Sequence, residues 1–146
     1  MATLHALVTS DWHFEKLKKL FPHDHIDRQI REIEKIYQYA LEKGIKHVFI
    51  PGDISDTHKM NSETYMKMLL LFKKYDGIIH TYYTGGNHDY SDITTTSMDL
   101  FQTILDGGYL ETFHLFLQPE QIEVDGVLCN MMPHPSMESL PNKRPC

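Results

Sequence analysis

The 146-residue chain is short of cysteine, of tryptophan and of basic charge, and it has no long apolar run. Its two cysteines, Cys129 inside a strand-like run and Cys146 at the end, cannot build the disulfide framework of a small secreted domain. Reduced thiols in a cytosolic protein are the expectation. Leu4-His5-Ala6-Leu7-Val8 is the apolar stretch ahead of Asp11, and it is too short for a secretory signal. No segment approaches the run of about 20 apolar residues that a membrane span needs. Lysine and arginine number 14 against 20 acidic residues, a net charge of −6, so the basic face of a free-standing nucleic-acid binder is missing. The basic clusters that exist are small: Lys16, Lys18 and Lys19, then Lys73 and Lys74, then Lys143 and Arg144. Each reads as solvated surface.

What remains is an ordinary globular composition, 41% hydrophobic and 23% charged, at a length that suits one domain with a real core. Histidine is the exception, with ten copies. Three strings stand out: Asp11-Trp12-His13, Gly52-Asp53-Ile54-Ser55-Asp56 and Gly86-Asn87-His88-Asp89.

Each string follows a run that reads as a buried strand. Leu4 to Thr9, Ile45 to Ile50 and Ile78 to Thr84 are those runs. A helix is expected from about Asp24 to Lys43, with Ile26, Ile30, Ile33, Tyr37 and Leu41 at helical spacing and Gly44 as its stop. A second spans Ser62 to Tyr75, with Asn61 or Ser62 as N-cap and Gly77 beyond its end. A shorter one runs from Ser97 to Leu105, followed by a strand from Phe113 to Leu117. Gln121 to Val124 and Val127 to Met132 flank Asp125-Gly126, a hairpin signal. The last stretch, Pro133 to Cys146, holds four prolines and no periodicity. Strands alternating with helices predict an α/β fold with βαβ crossovers and a mainly parallel sheet. Loops at the carboxyl ends of such strands carry function, and all three strings fall there.

The residue types suit metal chemistry. Asp11 and His13 alternate along an extended segment, so both can face one point. A carboxylate and an imidazole together suit a divalent first-row metal. Asp53 has two oxygens and can bridge two ions about 4 Å apart. Asp56 either supports the site from behind or caps a turn. Gly86-Asn87-His88-Asp89 is the most specific string, expected in roughly one random chain of this length in a thousand. Asn87 can offer its amide oxygen to a second ion, and His88 can protonate a departing alcohol oxygen. Asp56 is then suited to fixing the tautomer of His88.

In this order the strings resemble the calcineurin-like metallophosphoesterase superfamily. The phrase Gly52-Asp53-Ile54-Ser55-Asp56-Thr57-His58-Lys59-Met60-Asn61-Ser62 is most similar to SbcD-type nucleases, whose tailed-phage relatives, the recombination endonuclease subunits, also open with Asp-Trp-His. Ile122-Glu123-Val124-Asp125-Gly126-Val127 fits the same branch. The resemblance implies part of a metallophosphoesterase sandwich, with Asp11, His13, Asp53 and Asn87 as metal ligands and His88 as catalytic acid. It further implies two divalent ions, manganese by preference, DNA as substrate, an SbcC-like ATPase partner and a homodimer. Location would be the cytoplasm of a bacterial or phage-infected cell. The family's later Gly-His-x-His pair is absent, so domain 1–146 is expected to be incomplete at its C-terminus and to hold one ion firmly rather than two. His134 is a candidate for one further ligand. Alternatives are a non-catalytic binding or assembly module and a small-molecule phosphodiesterase.

Other clusters read more plainly. His23-Asp24-His25 belongs to a helix start. His47, His80 and His114 are expected to pack in or beside strands. Met66, Met68, Leu69, Leu70, Leu71 and Phe72 exceed what one buried stripe needs, and a dimer contact would absorb the surplus.

Overall fold

The computed structural model describes residues 4–14, 25–54, 61–85 and 97–133. Four strands form one parallel sheet: β1 (Leu7–Val8), β2 (His47–Pro51), β3 (His80–Thr84) and β4 (Phe113–Phe116), in that spatial order. Helices α1 (His25–Glu42), α2 (Ser62–Tyr75) and α3 (Ser97–Asp106) connect them, and an antiparallel hairpin, β5 (Glu120–Val124) and β6 (Val127–Met131), follows. This is the expected α/β architecture. Among the described residues no helix is long and apolar enough to cross a membrane.

Strand alternation sorts the sheet into two faces. Val48, Ile50, Tyr83 and Phe113 join Ile33, Tyr37 and Ala40 of α1 and Met68, Leu71, Phe72 and Tyr75 of α2 in the main core. Phe72, Phe101 and Phe113 form its aromatic centre, with ring centroids 4.6–6.2 Å apart. Such pairs add about 0.5–1.5 kcal/mol each beyond their area. Tyr37 is buried with its hydroxyl 2.8 Å from Thr81 Oγ1, and burial drives its phenol pKa up. On the other face Tyr82 and Phe116 pack with Val124 and Met131 of the hairpin.

Local chemistry explains most boundaries. Asn61 caps α2, its side-chain oxygen accepting from the Glu63 amide at 2.9 Å. Asp125 and Gly126 both have positive φ, 49° and 81°, the conformation a two-residue hairpin turn demands. Several expectations need correction. Ile78 and Ile79 both donate their amides to the Tyr75 carbonyl, so they close α2 and β3 begins at His80. Ile45 donates to Ala40 in the same way, which delays β2 to His47. Leu41 is exposed, because the buried stripe of α1 runs through Ala40 instead. Met66 and Leu70 are the surplus apolar residues of α2, 63% and 59% exposed.

Candidate metal centre

Parallel pairing delivers the first two strings to one place. Strands β1 and β2 point the same way, with Val8 opposite Phe49, so both chains leave the sheet at one end. The ladder then continues beyond the strands. Thr9 donates to the Phe49 carbonyl at 2.9 Å, Asp11 to Gly52 at 3.3 Å, His13 to Asp53 at 3.0 Å and Phe14 to Ile54 at 2.8 Å. Two loops that look unrelated in sequence therefore run side by side.

Their backbone is unusual. Asp11, His13 and Asp53 have φ of 58°, 46° and 57°, in the left-handed region that side chains disfavour. Each such residue costs about 1–3 kcal/mol and persists only where surroundings over-determine it. Gly52 has φ of 99°, and its amide donates to the Ile50 carbonyl at 2.9 Å across a turn centred on Pro51. Glycine at that position is required by conformation.

The outcome is convergence. One ligand atom each from Asp11, His13 and Asp53 lies within 4.8 Å of the others. His13 Nε2 is 3.5 Å from Asp11 Oδ1. Asp11 is largely exposed, whereas His13 is mostly covered, with 17% of its side chain accessible. The Ser10 hydroxyl donates to Asp11 Oδ2 at 2.6 Å and, against the opposing effect of burial, holds that carboxyl below its ordinary pKa; Asp53 and His13 add to the lowering. Two charged carboxylates with oxygens within 4.8 Å of each other repel by at least about 0.9 kcal/mol in water and at least about 3.5 kcal/mol at an effective dielectric of 20. A divalent cation reverses that sign. Two carboxylates and an imidazole are also a donor set that first-row metals accept, so these residues fit such an ion.

Asp56, Asn87, His88 and His134 lie outside the described residues. Strand β3 ends at Thr84, in register with Pro51, so the chain leaves β3 at the same end of the sheet. His47, His80 and His114 stand elsewhere, on the hairpin face; His80 and His114 are hydrogen-bonded to each other, while His47 packs against His80 and bonds Tyr82 and Asp125. A concavity of about 470 Å³ lined by His114, Asp106, Glu120 and Glu123 includes none of the three converging residues. Sequence reading missed Ser10, whose adjacency to Asp11 was the available signal.

A family description, calcineurin-like phosphoesterase, matches residues 4–136. The chain belongs to the calcineurin-like phosphoesterases. The family is one of metal-dependent phosphoesterases, which agrees with the donor set at the strand ends. No curated protein matches the chain. Among solved structures it is similar to AQ665, a protein of unknown function from Aquifex aeolicus, at 16% identity and a TM-score of 0.40. That match covers 86% of this chain and 58% of the other, so the chain spans less than two thirds of that structure.

Proposed function

We propose that this phosphoesterase cleaves phosphodiester bonds in DNA, as the nuclease subunit of an SbcCD-like complex. One observation supports metal chemistry above all: Asp11, His13 and Asp53 bring two carboxylates and an imidazole within 4.8 Å at the ends of adjacent parallel strands. The choice of DNA rests on the resemblance of residues 52–62 to SbcD-type nucleases.

In this reading Asp11, His13 and Asp53 would hold one ion, and Asp53 and Asn87 would offer oxygens to a second. Bound divalent metal, manganese by preference, supplies Lewis acidity and lowers the pKa of water near phosphorus. His88 gives its proton to the departing alcohol oxygen, and Asp56 keeps His88 in the tautomer that can do so. An ATPase subunit would provide the basic surface that a chain of charge −6 lacks.

The test compares manganese-dependent cleavage of linear duplex DNA with that of bis-p-nitrophenyl phosphate and cyclic nucleotides. Preference for DNA supports the nuclease reading, and turnover of small diesters alone replaces it. Manganese binding without turnover of any of them favours the second reading, a non-catalytic module. That reading has its own motive, since a net charge of −6 is the wrong sign for a DNA-binding surface.

A further inference from the structure

We propose that Gln29, a residue of α1 outside all three strings, is a positioning residue for the metal ligand His13. The inference rests on the reading of Asp11, His13 and Asp53 as a cation site.

The backbone of the first loop poses the question. Asp11 and His13 both sit in the left-handed region, at φ of 58° and 46°, and neither is glycine. Strain of this kind persists only where the surroundings over-determine it, and hydrogen bonds to the flanking peptide units are one way to do so. The amide side is accounted for, because Asp11, His13 and Phe14 donate to Gly52, Asp53 and Ile54. The carbonyl side faces α1. There Gln29 Nε2 lies 3.4 Å from the Trp12 carbonyl and 3.4 Å from the His13 carbonyl. A primary amide carries two N–H groups on one nitrogen, so one side chain can serve two consecutive carbonyls. Gln29 therefore clamps the peptide units on either side of the His13 α-carbon. Its backbone is set by α1, which the main core anchors through Ile33, Tyr37 and Ala40.

The clamp acts on the imidazole through the backbone. Release of the two carbonyls lets His13 relax toward an ordinary φ, and its ring then swings away from Asp11 and Asp53. Groups that orient metal ligands in this way typically change metal affinity by about 10–100-fold when removed. Long hydrogen bonds of 3.4 Å place Gln29 at the low end of that range.

Gln29→Met is the informative change, since methionine matches glutamine in length and helix propensity but cannot donate. Calorimetric titration with manganese is expected to show about tenfold weaker binding than wild type, with the melting temperature of the metal-free protein unchanged. The metal-free protein offers a second readout: the carbonyl carbon-13 resonances of Trp12 and His13 should shift on Gln29→Met, while those of β3 stay put. Unchanged manganese affinity, or weakened affinity matched by an equal loss of metal-free stability, overturns the proposal. Wild type that binds no manganese while the two carbonyl resonances still respond leaves the clamp standing and sinks the cation-site reading instead. Carbonyl resonances that do not respond sink the clamp.

Discussion

The imidazoles of His80 and His114 lie parallel on neighbouring strands, within 1°, with Nδ1 of the first 3.0 Å from Nε2 of the second. An N–H···N bond needs one donor and one acceptor, so this pair has no room for a second proton between its rings. His47 stands beside them, its ring 5.8 Å from His80, with Nδ1 on the Tyr82 hydroxyl and Nε2 on Asp125. Burial first, then the proximity of His80 and His47, pushes the His114 pKa below its ordinary value of 6.5.

Acid should therefore weaken the fold through this cluster. A histidine whose folded pKa is depressed leaves the unfolded chain binding more protons below pH 6.5, so stability falls as pH drops through that value toward the folded pKa. Urea midpoints at pH 7.5, 6.0 and 5.0 should decline for wild type and decline less for His114→Phe. Parallel slopes for the two proteins would show that His114 carries no such linkage.

Asp76 should act at a lower pH. Its carboxylate accepts the amides of Glu111 and Thr112 at 2.9 and 2.8 Å, tying the end of α2 to the turn before β4. Burial raises its pKa, but these backbone donors outweigh burial and hold it below the ordinary 3.8. Hydrogen bonds to a charged group contribute about 1.5–3 kcal/mol each, so Asp76→Ala is expected to cost about 2–3 kcal/mol at pH 7. A depressed carboxyl stabilises above its unfolded pKa and loses that contribution as pH falls through the folded one. The difference between wild type and Asp76→Ala should thus shrink at pH 3 in denaturant titrations. An equal difference at both pH values would rule out the charge as its source.

Much of this fold was legible along the chain because its signals are local. Asn61 and Gly77 bracket α2, Asp125-Gly126 sets the hairpin, and Asp11, His13 and Asp53 meet because parallel strands end together. The histidine row was not legible, since the register of β2, β3 and β4 pairs residues more than thirty positions apart. Leu41 and Ala40 were exchanged for a related reason: which of two adjacent apolar residues faces the core depends on how α1 is rotated against the sheet. Nor does any string announce the left-handed backbone at Asp11 and His13, which only the neighbouring loop enforces.

Trp12, the single tryptophan, lies between two of the converging residues and gives the site its own reporter. Its indole donates to Thr9 Oγ1 at 2.9 Å and stacks on Phe72 with centroids 6.2 Å apart. Manganese, a paramagnetic quencher, should reduce its emission along a saturable curve. Asp53→Ala should remove that saturation, and Asp106→Ala, at the separate concavity near His114, should not. Quenching that is linear in manganese for wild type would mean collisional contact and no site beside Trp12.

Metal stoichiometry separates the roles proposed for the strings. Asp11, His13 and Asp53 offer three converging ligand groups to one ion, and in the proposed reading a second ion would share Asp53 and add Asn87, with His134 a further candidate. Water can complete a coordination shell, but fewer protein donors mean a weaker hold. Calorimetry with manganese should therefore find one tight site per chain. Asp53→Ala should abolish the tight site, because it removes a ligand and leaves two groups that bind poorly alone. His88→Ala should leave the site nearly intact, since its proposed role is to protonate the departing oxygen rather than to hold metal. Two tight sites per chain, with cleavage lost in Asp53→Ala, would show that the chain assembles a full two-ion centre without the Gly-His-x-His pair.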